Sequence, residues 1–188
     1  MRKIILNLAV TLDGFIEGPN GEVDWCQFDN TAEMGEGSAF DKFLSGIDTI
    51  LYGRVSYDLW GQYQPASNAS APEKDLWERV HSKKKYVFSK KPKPDGKATF
   101  ISTGIKQQVN EIKKQPGKDI WLYGGAGLIS SFMNEGLIDA CLLAVHPVIL
   151  GDGKPLFSNI KNRIGLKLNE VITSKLGVIL LHYDAKLS

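Results

Sequence analysis

Short apolar segments that alternate with helical patterns constrain the fold of this chain more than any other feature of its sequence. Residues 4–10 form an apolar run interrupted only by Asn7, as expected for a strand covered on both faces. Further strands are predicted at residues 48–52, 85–89, 99–101, 120–123 and 140–149, and helices at 32–44, 54–61, from Pro72, at 105–114 and after Gly124-Gly125. Alternation of this kind predicts a largely parallel sheet with helices on both faces.

The C-terminal part of the chain has a different pattern. Residues 166–172 and 178–183 have strand character and flank Ser174-Lys175-Leu176-Gly177, which is typical of a hairpin turn. The predicted fold class is therefore α/β: a mixed, mostly parallel sheet with helices on both faces and a C-terminal antiparallel hairpin.

Length and composition indicate a globular protein. With 188 residues, 43% hydrophobic and 23% charged, the chain suits one domain spanning residues 1–188. A net charge of +2 is too small to indicate nucleic-acid binding, and no apolar stretch reaches the length of a membrane span. The lysines at residues 83–93 are either solvated or form a local anion site.

The cysteines and the N-terminus suggest a cytoplasmic setting. Cys26 and Cys141 lie far apart in sequence, and Cys141 sits in an apolar run that suits a buried, reduced thiol. Residues 4–10 are interpreted as a strand, because Asp13-Gly14 interrupts the apolar pattern without a signal-peptide cleavage site.

The segment Ile-Trp-Leu-Tyr-Gly-Gly-Ala-Gly-Leu at residues 120–128 is an apolar strand that leads through glycines into a helix. Such a junction presents backbone N–H groups and the positive end of a helix to a phosphate, without side chains that block close approach. It also fits an ordinary tight turn. It does not match the Rossmann fingerprint, because Ser130 stands where the third glycine belongs.

Two more strand ends carry residues suited to phosphate. Gly53, Arg54 and Ser56 follow one strand, and Ser89 and Lys90 end another. Each could be a solvated strand end, but ligands gather at the carboxyl ends of strands in open α/β sheets. The glycine junction at 124–125 suits the pyrophosphate of a dinucleotide. Cationic groups outside that junction indicate an additional phosphate, and therefore NADP rather than NAD.

Four segments in chain order carry a family resemblance. They read Asn-Leu-Ala-Val-Thr-Leu-Asp-Gly at 7–14, Leu-Tyr-Gly-Arg at 51–54, Tyr-Gly-Gly-Ala-Gly-Leu at 123–128, and Pro-Val-Ile-Leu-Gly-Asp-Gly at 147–153 with Leu156-Phe157. Together they resemble the RibD C-terminal reductase family, which is related to dihydrofolate reductase. The resemblance implies that the mixed sheet has a dihydrofolate reductase-like fold.

The resemblance implies an NADPH-dependent reductase that passes a hydride to a small pyrimidine or pteridine-like substrate. The adenosine and its 2′-phosphate would be held by Gly53, Arg54, Ser56, Ser89 and Lys90, and the pyrophosphate and nicotinamide side by Gly124, Gly125, Ala126, Gly127 and Leu128. The resemblance also implies that the paired glycines can be joined by a cis peptide. Val10, Thr11, Asp13 and Gly14 would lie beside the nicotinamide and the substrate.

One departure from the family pattern bears on the substrate. The nearest family activity is 5-amino-6-(5-phosphoribosylamino)uracil reductase, in riboflavin biosynthesis. Members of that pathway usually carry Asp-Asp-Pro and Leu-Thr-x-Arg after the second strand, whereas this chain reads Trp-Gly-Gln-Tyr-Gln-Pro at residues 60–65. The His-x-Glu and Pro-Cys-x-x-Cys motifs of the zinc deaminase found in bifunctional members are absent from the sequence.

Hydride transfer needs a residue that orients the acceptor or relays a proton, and loop 13–29 is interpreted as a lid over the site. Asp13 is the first choice, although an Asp-Gly turn explains it equally well. Glu33, Glu36 and Asp24 are further candidates, Glu33 and Glu36 by analogy with the acid that follows the lid in dihydrofolate reductases. Trp25 covers the nicotinamide or simply packs the loop.

Other chemistries lack support in the sequence. The three histidines show no metal-ligand spacing, and no serine or cysteine occupies a nucleophile motif. A true dihydrofolate reductase and a non-catalytic NADP-binding protein are the alternative functions. The C-terminal strands suit a homodimer.

Overall fold

Residues 1–27 and 37–185 are described in the structure, a computed structural model. In this part of the chain eight strands form a mixed, mostly parallel sheet, which confirms the predicted fold class. The strands are β1 (Ile4–Thr11), β3 (Ile47–Gly53), β4 (Lys84–Phe88), β5 (Thr99–Ile101), β6 (Asp119–Gly124), β7 (Ala140–His146), β9 (Leu166–Thr173) and β10 (Ile179–Ala185). A separate pair comprises β2 (Phe15–Glu17) and β8 (Lys154–Pro155).

Five α-helices occur in the described residues. They are α1 (Ala39–Ser45), α2 (Arg54–Ser56), which continues into a π-helical turn at Tyr57–Gly61, α3 (Ala71–His81), α4 (Ile105–Lys114) and α5 (Ala126–Asn134).

Backbone contacts group the chain into two units, and the prediction of one domain over residues 1–188 stays a prediction. The first unit takes residues 1–2 and 30–125. Its strand order is β5-β4-β3-β6, with every neighbouring pair parallel. Its core consists of apolar side chains that are fully buried, among them Ile50, Leu51, Val87, Ile120, Leu122 and Val109.

The second unit takes residues 3–29 and 126–188. Its strand order is β1-β7-β10-β9: β1 and β7 are parallel, and the other two pairs are antiparallel. The predicted C-terminal hairpin is therefore confirmed. The core of this unit includes the fully buried side chains of Ile4, Leu6, Ile129, Phe132 and Cys141.

Capping residues explain where the helices begin. The Ser38 hydroxyl accepts a hydrogen bond from the Asp41 N–H at 3.0 Å, so α1 begins at Ala39, later than the predicted start at residue 32. Residues 32–36 of that predicted helix lie outside the described part. Ser70 caps α3 in the same way, with Pro72 in the first turn.

Two predicted segments differ from the structure. The strand predicted for residues 140–149 ends at His146, because Pro147 has no N–H to continue the ladder. Loop 13–29 contains β2, which pairs with β8 and is linked to it by an ion pair between Glu17 and Lys154. The first part of the predicted lid is therefore anchored to its own unit by a short sheet.

Both cysteines are free, and Cys141 is buried as predicted. Among the described residues no helix combines the length and the apolar character needed to cross a bilayer. The cytoplasmic location stays a prediction.

Candidate active site

Three neighbouring parallel strands of the first unit end at the same edge. In the strand register Gly53 of β3 lies opposite Phe88 of β4, and Tyr52 lies opposite Gly124 of β6. The turns that follow β3, β4 and β6 therefore begin side by side, since neighbouring strands are about 4.8 Å apart. This places Arg54, Ser89 and Gly125 at one edge of the sheet.

The turns after β3 and β6 are in close contact. Gly124 and Gly125 are joined by a cis peptide, as the family resemblance implies. A Cβ atom on Gly53 would lie 3.1 Å from the Gly125 nitrogen, and one on Gly125 would lie 3.1 Å from the Ser56 hydroxyl oxygen. Glycine at positions 53 and 125 thus lets the two backbones approach with no side chain between them.

Arg54 begins α2 and is held by a carboxylate one turn later. Its Nε donates a hydrogen bond to Asp58 Oδ2 at 2.6 Å, and 27% of the Arg54 side chain is exposed. No side chain caps the start of α2. Among the described residues this contact uses Nε alone, so the terminal nitrogens of the guanidinium can bind another acceptor, and a planar guanidinium suits a phosphate.

Ser89 and Lys90 follow β4. The Ser89 N–H donates to the Ile101 carbonyl, and the Ser89 hydroxyl accepts from the Lys91 N–H at 3.1 Å. The Lys90 side chain is exposed. The structure thus brings Gly53, Arg54, Ser56, Ser89, Lys90, Gly124 and Gly125 to one edge of the first unit, while their role in binding stays a prediction.

Sequence analysis missed the contact between Tyr57 and Asp95 in the same unit. The Tyr57 hydroxyl donates to Asp95 Oδ2 at 2.6 Å, and the Tyr57 side chain is buried. This hydrogen bond is the main reason why the pKa of Asp95 lies below its usual value. Burial, followed by the neighbouring Asp95, raises the pKa of Tyr57. The pair is thus a neutral phenol bonded to a carboxylate.

Asp13 lies in the second unit, in the turn after β1. Its carboxylate accepts from the Thr11 hydroxyl at 2.6 Å, from the Leu150 N–H at 3.1 Å and from the Gly151 N–H at 2.8 Å. The Thr11 hydrogen bond, and next that of Gly151, hold the pKa of Asp13 below its usual value. The side chain therefore fastens the loop at 150–151 to the turn at 11–14.

The other candidate residues of the second unit are spread over β1 and α5. Val10 and Thr11 are buried at the end of β1, and Thr11 also accepts from the Phe15 N–H at 2.9 Å. At the start of α5, Ala126 is half-buried, Gly127 is exposed and Leu128 is buried. Apart from its chain neighbours and the backbone of α5, no atom of the described residues lies within 4 Å of a Cβ built on Gly127.

Trp25 packs inside the second unit. Its ring contacts His146 edge-on at 5.4 Å between centroids, and its Nε1 donates to the Glu22 carbonyl. Cys26 Sγ lies 4.0 Å from His146 Nε2, and burial raises the pKa of the Cys26 thiol to about 11. The thiol is therefore protonated at neutral pH. Asp24 is exposed, and Glu33 and Glu36 lie outside the described residues.

The family of this chain follows from its sequence as a whole: the model of the RibD C-terminal domain matches residues 2–180, and the chain belongs to that family. A close relative is the uncharacterized protein YyaP of Bacillus subtilis (strain 168). The two are 57% identical over 183 residues, which cover 97% of this chain and 94% of YyaP.

Solved structures support the same fold. The Thermotoga maritima diaminohydroxyphosphoribosylaminopyrimidine deaminase/5-amino-6-(5-phosphoribosylamino)uracil reductase aligns with a TM-score of 0.67 at 16% identity, covering 98% of this chain and 56% of that protein. Dihydrofolate reductase from Enterococcus faecalis, complexed with NADP(H), aligns with a TM-score of 0.59 at 14% identity, covering 98% and 96%. The fold is therefore of the type found in RibD and dihydrofolate reductases.

Proposed function

We propose that the protein is an NADPH-dependent reductase that transfers a hydride to a small nitrogen heterocycle. The observation that carries this proposal is the edge of the first unit, where the side-chain-free contact between Gly53 and Gly125 lies beside Arg54 and Ser89. Backbone amides and a guanidinium placed together suit a ligand with several phosphates. Membership of the RibD C-terminal family supports the same function.

The residues of this edge would bind different phosphates of the cofactor. The glycine turn at 124–125 would hold the pyrophosphate. Ala126, Gly127 and Leu128, which follow this turn in the sequence, are proposed for the nicotinamide side. Arg54, Ser56, Ser89 and Lys90 would hold the adenosine and its 2′-phosphate. When bound, NADPH supplies the hydride, and the protein contributes binding and orientation.

Asp13 is better suited to positioning than to proton donation. Its lowered pKa keeps it ionised at neutral pH, and its oxygens are occupied by Thr11 and two backbone amides. We propose that Asp13 fixes the shape of the turn at 11–14. The end of β1, which leads into this turn, would then face the reacting groups. A proton for the acceptor then comes from another donor.

The substrate class rests on the family. A pyrimidine or pteridine is proposed because the structural relatives include a uracil derivative reductase and a dihydrofolate reductase. The nearest activity is that of 5-amino-6-(5-phosphoribosylamino)uracil reductase, but residues 60–65 lack the motif usual for its phosphoribosyl substrate. A heterocycle without that group therefore fits this chain better.

We also propose that the protein is a homodimer formed through its C-terminal hairpin. Strand β9 comes last in the strand order of the described residues, so within that part of the chain no strand pairs with its outer backbone groups. The hairpin also exposes large apolar side chains, which are Leu168, Val171, Ile172, Leu176 and Ile179. An exposed edge with such a surface is best covered by a second copy of the same surface.

Titration of NADPH and NADH into the wild-type protein and Arg54→Ala tests the cofactor assignment. NADPH should bind more tightly than NADH, and the substitution should weaken NADPH binding by about 10- to 100-fold while changing NADH binding little. If NADPH and NADH bind with equal affinity, and Arg54→Ala changes neither affinity, then Arg54 does not bind a 2′-phosphate. Oxidation of NADPH with dihydrofolate as the acceptor would separately identify a dihydrofolate reductase, and tight binding without turnover of any heterocycle would indicate a non-catalytic protein.

A further inference from the structure

The segment between β4 and β5 is a lysine-rich loop with one acidic residue. Residues 89–98 read Ser-Lys-Lys-Pro-Lys-Pro-Asp-Gly-Lys-Ala, and the side chains of its four lysines are exposed. Neither helix nor strand is formed between β4 and β5. The position of these lysines therefore depends on how the two ends of the loop are attached.

The first end of the loop starts beside Arg54. Phe88 and Gly53 are register partners on neighbouring strands, so the residues that follow them, Ser89 and Arg54, begin next to each other. The Ser89 hydroxyl then accepts from the Lys91 N–H at 3.1 Å, which turns the chain at this point.

The second end of the loop returns to the same helical segment. Asp95 accepts the Tyr57 hydroxyl at 2.6 Å through Oδ2, and the Lys97 N–H at 2.8 Å through Oδ1. Tyr57 lies three residues after Arg54 and is 1% exposed, with its ring perpendicular to that of Phe100. One side chain thus closes the turn at 95–98 and fastens it to the helical segment that begins at Arg54.

A loop attached at both ends loses less conformational freedom when its lysines engage an anion. Hydrogen bonds to a carboxylate are stronger than those between neutral groups, so the link is suited to this task. Pro92 and Pro94 restrict the backbone between the two attachment points. The loop therefore loses most of its conformational entropy when the protein folds, and little more when a ligand binds.

We propose that Tyr57 and Asp95 are positioning residues that set the preference for NADPH over NADH, by holding the lysines of loop 89–98 beside Arg54. This inference rests on the proposed function and adds to it a pair of residues that would act through the loop rather than by binding the cofactor. A purely structural role would weaken the binding of both cofactors. In the proposed role, loss of the hydrogen bond between Tyr57 and Asp95 should weaken NADPH binding and leave NADH binding nearly unchanged.

The test is a comparison of NADPH and NADH affinities, by quenching of protein fluorescence, in wild type, Tyr57→Phe and Tyr63→Phe. Tyr57→Phe removes only the hydroxyl. Tyr63→Phe is the matched control, because the Tyr63 hydroxyl also faces a carboxylate, that of Glu73 at 3.4 Å, which belongs to α3 and not to the loop. The expected result is an NADPH Kd raised about fivefold in Tyr57→Phe, an NADH Kd nearly unchanged, and a control like wild type.

An unchanged preference in Tyr57→Phe, or equal weakening of both cofactors, would overturn the inference. A wild-type protein that fails to prefer NADPH would instead overturn the proposed function, so the two failures are distinguishable. If circular dichroism shows that Tyr57→Phe is unfolded, Asp95→Ala takes its place, because it removes the other partner of the same hydrogen bond, on the exposed side. The same results then support or overturn the inference.

Discussion

Gly53 lies against Gly125 so closely that a Cβ atom at position 53 would come within 3.1 Å of the Gly125 nitrogen and 3.4 Å of the Gly124 oxygen. Both neighbours are backbone atoms, which cannot rotate away as a side chain can. The contact joins the ends of β3 and β6, where the cofactor phosphates are proposed to lie.

Gly53→Ala should therefore damage both stability and cofactor binding. Forcing a methyl group into this contact is expected to lower the free energy of unfolding by about 1–3 kcal/mol. NADPH binding should weaken as well, because the two turns must separate. Urea denaturation and an NADPH titration on the same sample measure both effects, and a variant with wild-type values in each would show that the contact is looser than described.

Gly127→Ala is the matched comparison, with the opposite expectation for folding. A Cβ at this position meets no atom within 4 Å, and alanine is favoured over glycine in a helix. The unfolding temperature should stay constant or rise, whereas NADPH affinity should fall if the open space belongs to the cofactor. Unchanged NADPH affinity would remove Gly127 from the proposed binding residues.

The free energy of unfolding should decrease as the pH falls below 6.5, the ordinary pKa of histidine, because His81 must then take up a proton. Lys85 Nζ lies 2.9 Å from His81 Nδ1, so the ring must be neutral there to accept from the ammonium. Burial, and then repulsion from Lys85, hold the pKa of His81 below its ordinary value of 6.5. Since the folded pKa is depressed, the stabilisation is complete above pH 6.5 and is lost as the pH falls from there through the folded pKa.

Urea-denaturation midpoints at about pH 7.5 and 5.5 measure this effect. Carboxylates with ordinary or lowered pKa values stay ionised at both pH values and therefore contribute little to the difference. The replacement His81→Gln removes the titrating ring and should lose less stability between the two pH values than wild type. An equal loss in both proteins would show that another group is responsible.

Asp13→Asn should release the loop at residues 150–151. An asparagine amide has one oxygen and no charge, so it cannot keep the hydrogen bonds from Thr11, Leu150 and Gly151 together, and those that it keeps are weaker than bonds to a carboxylate. Hydrogen exchange at these two amides, followed by NMR, should become faster than in wild type. Asp152→Asn is the control, since the Asp152 carboxylate accepts only from the adjacent Gly153 N–H among the described hydrogen bonds. Unaltered exchange in Asp13→Asn would mean that the carboxylate does not hold the loop.

Val171→Glu should prevent the proposed dimer. Val171 is 49% exposed on β9, and a charge placed at the centre of an apolar interface is costly when buried. Sedimentation velocity should show a dimer for wild type and a monomer for this variant. Glu170→Gln, at the neighbouring position on the opposite face of the strand, should leave the dimer intact. A wild-type monomer would refute the proposed assembly.

Local signals in the sequence predict the elements of this fold well. Helix α4 spans residues 105–114 as expected, because Gly104 precedes it and Gln115-Pro116-Gly117 ends it. The hairpin strands are likewise found where their turn residues indicate. These features depend on neighbours in the chain, so periodicity and turn chemistry are sufficient to find them.

Contacts between distant residues could not be predicted in the same way. Tyr57 and Asp95 are 38 positions apart, and their hydrogen bond depends on the path of a loop without secondary structure. The sequence predicts Asp13 as a candidate. The hydrogen bonds to its carboxylate from the Leu150 and Gly151 amides, however, depend on the parallel pairing of β1 with β7. Strand order and register decide such contacts, and hydrophobic periodicity specifies neither.

A crystal structure of the protein with NADPH bound would test the proposed cofactor site most directly. The pyrophosphate should lie against the amides of Gly124 and Gly125, and the 2′-phosphate should lie beside Arg54 and loop 89–98. Density for the phosphates away from this edge, or a 2′-phosphate that faces solvent with Arg54 still paired only to Asp58, would contradict it.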